Sequence, residues 1–240
     1  MSISESPSGA LPTRLSTISP HTYPDRICRR LEGFSKPLSV LLIIYPIVAV
    51  LAAMSASYGI MDPRMFSEEA IGSANVDTDG TMILVAVVFS LFAVLERVVF
   101  FICVFLVGRF TYRAMRNLYT VGSAVPVQSP AGSVYWYAVP FANFAVPASA
   151  MSEIYKGSIE ETGRVHTSKL VSYWWTAWLL SLAAAIVSNS QFTPIEVLGA
   201  AVAISMLFSA LAALALRLLI QRIATAQQVI LQTGAAQVFA

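Results

Sequence analysis

Residues 82–107 read MILVAVVFSLFAVLERVVFFICVFLV, an apolar run in which Glu96 and Arg97 are the only charged residues. Because a helix rises about 1.5 Å per residue, about 20 such residues cross the roughly 30 Å hydrocarbon core of a bilayer. Three further apolar runs of suitable length occupy residues 38–60, 170–188 and 195–216. The sequence therefore predicts an all-α integral membrane protein with four transmembrane helices.

The composition supports this prediction and argues against several other classes of protein. Hydrophobic residues make up 57% of the 240-residue chain and charged residues only 12%, which is far fewer charges than a soluble domain carries. The net charge is only +2, and no basic patch is interleaved with aromatic residues, so no nucleic-acid partner is expected. Cys28 and Cys103 do not have the spacing of metal ligands.

Residues 133–151, SVYWYAVPFANFAVPASAM, are uncharged and long enough for a fifth span. Pro140, Asn143 and Pro147 argue against one straight helix in this segment. The aromatic cluster around Trp136 is typical of the headgroup layer. The segment is therefore predicted to be an interfacial or re-entrant element that is broken by its prolines.

The distribution of Lys and Arg favours four spans over five. With four spans, both termini and the connection 109–169 lie on one side of the membrane, which then holds 13 of the 15 basic side chains. With five spans, the basic residues of the two sides divide 8 to 6. Since Lys and Arg accumulate in cytoplasmic loops, the N- and C-termini are both predicted to be cytoplasmic.

The expected organisation of the chain has three parts. Residues 1–36 form a polar, basic tail rich in Pro and Ser, residues 37–222 form the four-helix membrane domain, and residues 223–240 form a cytoplasmic C-terminal helix or tail. Within the membrane domain, residues 61–80 form a polar loop between the first two spans.

Glu96 and Arg97 lie near the middle of the second span, where a charge costs about 2.5–3.5 kcal/mol on insertion scales. Neighbouring residues are about 100° apart on a helix, so each is expected to need a partner on another helix or another subunit. One interpretation is an ion path or a polar contact with a partner protein. The other is a structural pair facing the bundle interior, with Arg97 reaching towards the interface.

A second group of polar residues follows the second span. Arg113 and Arg116 are three residues apart and share one face of the continuing helix. One interpretation is that they bind a lipid phosphate or the Glu153 carboxylate, and the other is that they only anchor the topology. The full motif consists of Arg109, Arg113, Arg116, Asn117 and Glu153. In the broken segment, the amide of Asn143 either satisfies backbone groups or faces a small ligand. The candidate residues of that segment are Trp136, Pro140, Asn143 and Pro147.

Several motifs follow one another along the chain: FTYRAMRNL at 110–118, Ser129-Pro130, YWYAVPFAN at 135–143, Pro147 and Glu153. This order resembles the bacterial membrane domain of unknown function 4328, over about residues 40–228 and most strongly over 109–180. The resemblance implies four helices in a bacterial inner membrane, and it implies no activity. The acidic loop at 61–80 departs from the family's pattern.

No nucleophile elbow, P-loop, dinucleotide fingerprint or zinc-protease motif is present in the sequence, so no catalytic residue is predicted. We expect a non-catalytic accessory or scaffold subunit of a larger bacterial inner-membrane complex, for example a respiratory or photosynthetic one. The alternatives are a small-solute or ion transporter or channel acting as an oligomer, and an intramembrane or lipid-modifying enzyme. No metal or cofactor is predicted. The expected partners are other membrane-protein subunits and membrane lipids, including a bound phospholipid.

Overall fold

A computed structural model of the chain describes residues 30–61, 80–163, 169–190, 192 and 194–238. Within these residues the chain is helical and contains no strand, and four helices are long and apolar enough to cross a membrane. The predicted all-α membrane class is therefore confirmed. Most of the predicted 1–36 tail and of the 61–80 loop lies outside the described residues. The helices are α1 (Glu32–Met61), α2 (Gly80–Val121), α3 (Gly132–Tyr135), α4 (Val146–Glu160), α5 (Leu170–Ser188) and α6 (Ile195–Val238).

Two of the spanning helices are much longer than a membrane requires. α2 has 42 residues and α6 has 44, so each is more than about 60 Å long, twice the roughly 30 Å hydrocarbon core. α2 thus continues past the predicted span end at 107, and α6 continues past 216. Buried residues spaced by four, Phe110, Ala114 and Leu118, explain the continuation of α2, because they keep one apolar face in register.

The sharp end of α2 depends on a glycine. Gly122 has φ +77°, a left-handed conformation that few other residues adopt without strain. Its N–H donates to the carbonyl of Tyr119, and the N–H of Ser123 donates to the carbonyl of Leu118. These two bonds form a Schellman motif, which satisfies the last carbonyls of the helix and turns the chain away.

The four spanning helices form an open row rather than a closed bundle. α1 packs against both α2 and α6, and α5 packs against α6. Within the described residues, α2 and α5 make no substantial contact, and α2 touches α6 only slightly. The order across the row is therefore α2, α1, α6, α5, and α2 lies at one edge with much of its surface uncovered.

Beyond the membrane, α4 joins the ends of this row. It packs against the extension of α2, against the extension of α6 and against the start of α5. The contact buries Met151 and Ile154 of α4 completely, together with Leu219 and Ile223 of α6. We call this end of the molecule the basic end, because it carries Arg109, Arg113, Arg116, Arg217 and Arg222.

Candidate functional site

The charged pair in the membrane belongs to a polar cluster that three helices build. Glu96 of α2 is only 8% exposed, and its carboxylate lies beside the hydroxyl of Tyr45 on α1. That hydroxyl also shares a 3.0 Å hydrogen bond with the hydroxyl of Ser209 on α6. Glu96 therefore finds the partner on another helix that its position in the membrane was expected to require.

Arg97 differs from Glu96 in its exposure. Its side chain is 71% exposed, whereas that of Glu96 is 11% exposed. The two neighbours nevertheless contact each other, because Nε of Arg97 lies 3.3 Å from Oε2 of Glu96. The flexible arginine side chain bends back to the carboxylate while its outer end remains on the uncovered surface of α2.

The depth of the pair follows from its distance to the basic end. Arg97 is roughly twelve residues from Arg109 along α2, which corresponds to about 18 Å. Arg109 lies over the ring of Phe34 near the start of α1, 5.6 Å from the ring centroid. Tyr45 is roughly eleven residues beyond Phe34, or about 16 Å. Both values are close to half of a roughly 30 Å hydrocarbon core, so the cluster lies near mid-bilayer.

At the basic end, the predicted motif is divided among separate contacts. Arg109 makes cation–π contacts with the rings of Phe34 and Phe105. Arg113 and Arg116 are half-buried on the extension of α2. Binding of a lipid phosphate by these two arginines stays a prediction.

Glu153 has a role that the sequence did not indicate. Its Oε2 accepts hydrogen bonds from the backbone N–H groups of Val127 and Gln128, at 3.0 and 3.1 Å. In the described part of the chain, the carboxylate therefore binds loop backbone rather than a guanidinium. Residues 122–129 lack regular structure, so this carboxylate fixes the connection between α2 and α3.

We expect Glu153→Ala to loosen residues 122–129 without unfolding the helices. The substitution removes the acceptor of two backbone N–H groups, each bond to a charged acceptor being worth about 1.5–3 kcal/mol. Amide hydrogen exchange at Val127 and Gln128 should accelerate by about tenfold or more.

Glu160→Ala is the matched control for this experiment, because Glu160 is exposed and, within the described residues, its carboxylate pairs with Lys156 at 3.9 Å rather than with loop backbone. It should leave exchange at Val127 and Gln128 unchanged. Equal acceleration by both substitutions would contradict the role assigned to Glu153.

Asn117 belongs to a buried network that the sequence reasoning did not find. Its Nδ2 donates to Oε1 of Gln227 at 2.9 Å. Nε2 of Gln227 donates in turn to Oγ of Ser158 and to the carbonyl of Ala114, at 2.9 and 3.0 Å. The network joins α2, α4 and α6 at one point, and the side chain of Gln227 is only 2% exposed.

The segment predicted as 133–151 is divided by the structure at residue 146. Residues up to 144 form α3 and two 3-10 turns, whereas Pro147 lies in the first turn of α4, where its missing N–H is not needed. Pro140 begins a tight turn in which the N–H of Ala142 donates to the carbonyl of Pro140 at 2.8 Å. At the centre of this turn, Phe141 has φ +63° and is 85% exposed. Such a strained γ-turn directs its ring outwards.

The broken segment is held at the level where the spans end. Nε1 of Trp175, near the start of α5, donates to the carbonyl of Phe144 at 2.9 Å. A Cβ atom on Gly108 of α2 would lie 3.5 Å from Val134. These contacts favour an interfacial over a re-entrant segment, since none lies deep along a span. Trp136, which packs edge-on against Tyr135, and Asn143 lie in the same segment.

Tyr137 anchors the segment on α2 through a buried phenol. Its hydroxyl lies beside that of Thr111, and neither makes a hydrogen bond of good geometry within the described residues. Burial raises the pKa of Tyr137 to about 12, and the Thr111 hydroxyl opposes this shift. The phenol is therefore uncharged at physiological pH.

Three kinds of residue in these contacts were not predicted from the sequence. Tyr45 and Ser209 are ordinary within apolar helices, although a tyrosine in mid-span is a signal that a polar partner is near. Gln227 follows Ile223 by four residues, so a glutamine on an apolar stripe was the available signal.

Among the described residues, no group of three or more His, Cys, Asp or Glu is placed to hold a metal ion.

The family model for a domain of unknown function, DUF4328, matches residues 75–228. This range covers more than half of the chain. The chain belongs to this family. The DUF4328 range contains Glu96, Arg97, the motif from Arg109 to Glu153 and Gln227, and it leaves α1 outside. No curated protein and no solved structure matches the chain.

Proposed function

We propose that this protein is a non-catalytic accessory or scaffold subunit of a larger complex in a bacterial inner membrane. The observation that carries the proposal is Arg97, a 71% exposed arginine on the uncovered edge of the row and near mid-bilayer. A guanidinium that is paired only through Nε and otherwise faces lipid is costly at this depth, and an arginine side chain is too short to reach the headgroups from there. A neighbouring membrane protein would remove the guanidinium from the lipid.

The surface around Arg97 also supports a protein neighbour. Val94 and Phe101 lie three and four residues away on the same face of α2, and both are exposed. Apolar residues are equally at home against lipid or protein, so they allow a partner helix without demanding one. The exposed guanidinium of Arg97 is the group that requires a polar partner.

The orientation of the protein is part of the same proposal. We place the basic end and both termini in the cytoplasm, because Lys and Arg are concentrated on that side of four-span proteins. In this orientation, α4 and the extensions of α2 and α6 form a folded surface that faces the cytoplasm. Such a surface suits a subunit that links membrane and soluble components.

Photo-crosslinking in native membranes tests the proposal. A photoreactive amino acid at position 101, beside Arg97, should give a discrete crosslinked species that contains a second protein. The same amino acid at position 186, exposed on α5 at the other edge of the row, should not give that species. Arg97→Met should reduce the yield at position 101 by about tenfold or more, since a hydrogen bond to a charged group contributes about 1.5–3 kcal/mol.

Two outcomes would overturn the proposal: equal crosslinking at positions 101 and 186, and a yield at position 101 that Arg97→Met does not change. Arg97→Lys serves as the control that retains the charge, and it should retain part of the yield. The transporter and enzyme alternatives have no specific observation in their favour among the described residues.

A further inference from the structure

We propose that the partner at Arg97 is a transmembrane helix of a different protein, which carries a carboxylate at mid-bilayer depth. This inference rests on the proposed function and specifies the chemistry of the partner. Within the described residues, the one ion pair of Arg97 uses Nε, and its side chain is 71% exposed, so the two terminal amino groups are accessible to a further acceptor.

The geometry of these donors selects a carboxylate. A guanidinium presents paired N–H groups that match the two oxygens of a carboxylate, and such paired bonds are stronger than bonds to neutral acceptors. The low dielectric of the bilayer interior strengthens the attraction further. A partner carboxylate would extend the polar chain that runs from Ser209 through Tyr45 and Glu96 to Arg97.

A second copy of this chain does not supply that carboxylate. The four predicted spans contain only two acidic residues, Glu96 and Glu196. Glu96 is 8% exposed and turned towards α1 and α6, and Glu196 is the second residue of α6, far from mid-span. Two copies that met through this face would instead bring two Arg97 side chains together, which like-charge repulsion opposes.

A lipid phosphate does not supply it either. Phosphates lie in the headgroup layer, about 15 Å or more from mid-bilayer, whereas Arg97 is about 18 Å from the arginine at the membrane boundary. Arg109 occupies the level at which a phosphate is available. The two arginines therefore differ in the ligand that their depth allows. Arg109 lies at the level of the headgroups, and Arg97 lies at the level of a carboxylate on a partner helix.

Designed transmembrane peptides in vesicles test this chemistry directly. The full chain, with a fluorescent donor on a C-terminal tag, is reconstituted in phosphatidylcholine vesicles at pH 7. Acceptor-labelled Leu/Ala host peptides carry Asp, Asn or Leu at the centre, or Asp near one end. Energy transfer to the central-Asp peptide should saturate at an acceptor density about tenfold lower than transfer to the Leu peptide. Arg97→Met should abolish the difference.

Several outcomes would overturn the inference. They are equal transfer to the Asp and Leu peptides, transfer to the Asn peptide as strong as to the Asp peptide, or a preference for Asp that survives Arg97→Met. Stronger transfer between two labelled copies of the chain than to the Asp peptide would assign the face to self-association. The comparison of peptides on the unmodified chain needs no variant, so it stands even if Arg97→Met folds poorly.

The two proposals fail separately. If crosslinking at position 101 depends on Arg97 but the Asp peptide has no advantage, the protein is a subunit whose partner uses other chemistry. If the Asp peptide binds but no crosslinked species forms in native membranes, the carboxylate preference is real and the subunit role is wrong.

Discussion

Gln227→Leu should be among the most damaging single substitutions in this protein, although leucine nearly matches glutamine in size. The change removes the bonds from Gln227 to Asn117 and to Ser158, and both of those side chains are buried. Each buried polar group that loses its partner costs about 1–3 kcal/mol, so we expect a loss of roughly 2–4 kcal/mol. For a chain of this length, that lowers the melting temperature in detergent by roughly 5–10 °C.

Gln228→Leu provides the matched control, because the next residue of α6 is exposed. It should change the free energy of unfolding by less than about 0.5 kcal/mol. The double variant Asn117→Leu with Gln227→Leu should lose less stability than the two single variants combined, since replacing both partners leaves fewer orphaned groups. A melting temperature unaffected by Gln227→Leu would show that the network does not hold the basic end together.

Gly157→Leu should separate α4 from α2. A Cβ atom at residue 157 would lie 2.9 Å from Cδ1 of Leu118 and 3.4 Å from Cβ of Val125. Leu118 is itself buried, so its methyl groups have little room to move. We expect about 3 kcal/mol of destabilisation from overpacking, and a smaller loss for Gly157→Ala, whose better helix propensity offsets up to about 1 kcal/mol.

The melting temperature and amide exchange of residues 146–160 measure this effect. Gly199→Ala is the control, because a Cβ atom at this glycine of α6 would meet nothing within 4 Å. It should be neutral or should stabilise the protein by up to about 1 kcal/mol. If Gly157→Leu were as well tolerated as Gly199→Ala, close packing at the α4–α2 contact would not be what positions α4.

Hydropathy was sufficient to predict the four spanning helices, because bilayer thickness sets their length and composition. The continuation of α2 and α6 beyond the membrane was also expected, but hydropathy did not predict where the two helices end, since their extensions follow an amphipathic stripe outside the membrane. The order of helices across the row was also not predictable. Lipid-facing and helix-facing residues in a membrane are both apolar, so the sequence carries little sign of which face of α2 is covered.

The candidate site was likewise predictable only in part. Glu96 and Arg97 were recognisable as mid-span charges. Their different exposure arises because other helices pack beside Glu96 and not beside Arg97. The bond between Asn117 and Gln227 joins positions 110 residues apart, so neither residue reveals the other locally. An arginine contact was one interpretation of Glu153, but the two backbone donors in the irregular loop after α2 could not be foreseen from the sequence.

The chain is synthesised from its N-terminus, so α1 and α2 enter the bilayer before α6 has been made. Yet α6 is the helix that contacts α1 on one side and α5 on the other, and it also carries Gln227 to α4. Until the last helix arrives, α1, α4 and α5 each lack a principal neighbour. The packing of these three helices is therefore completed in one late step, and a nascent chain that stops before α6 leaves the hydroxyl of Tyr45 and the buried side of α4 without the contacts that complete them.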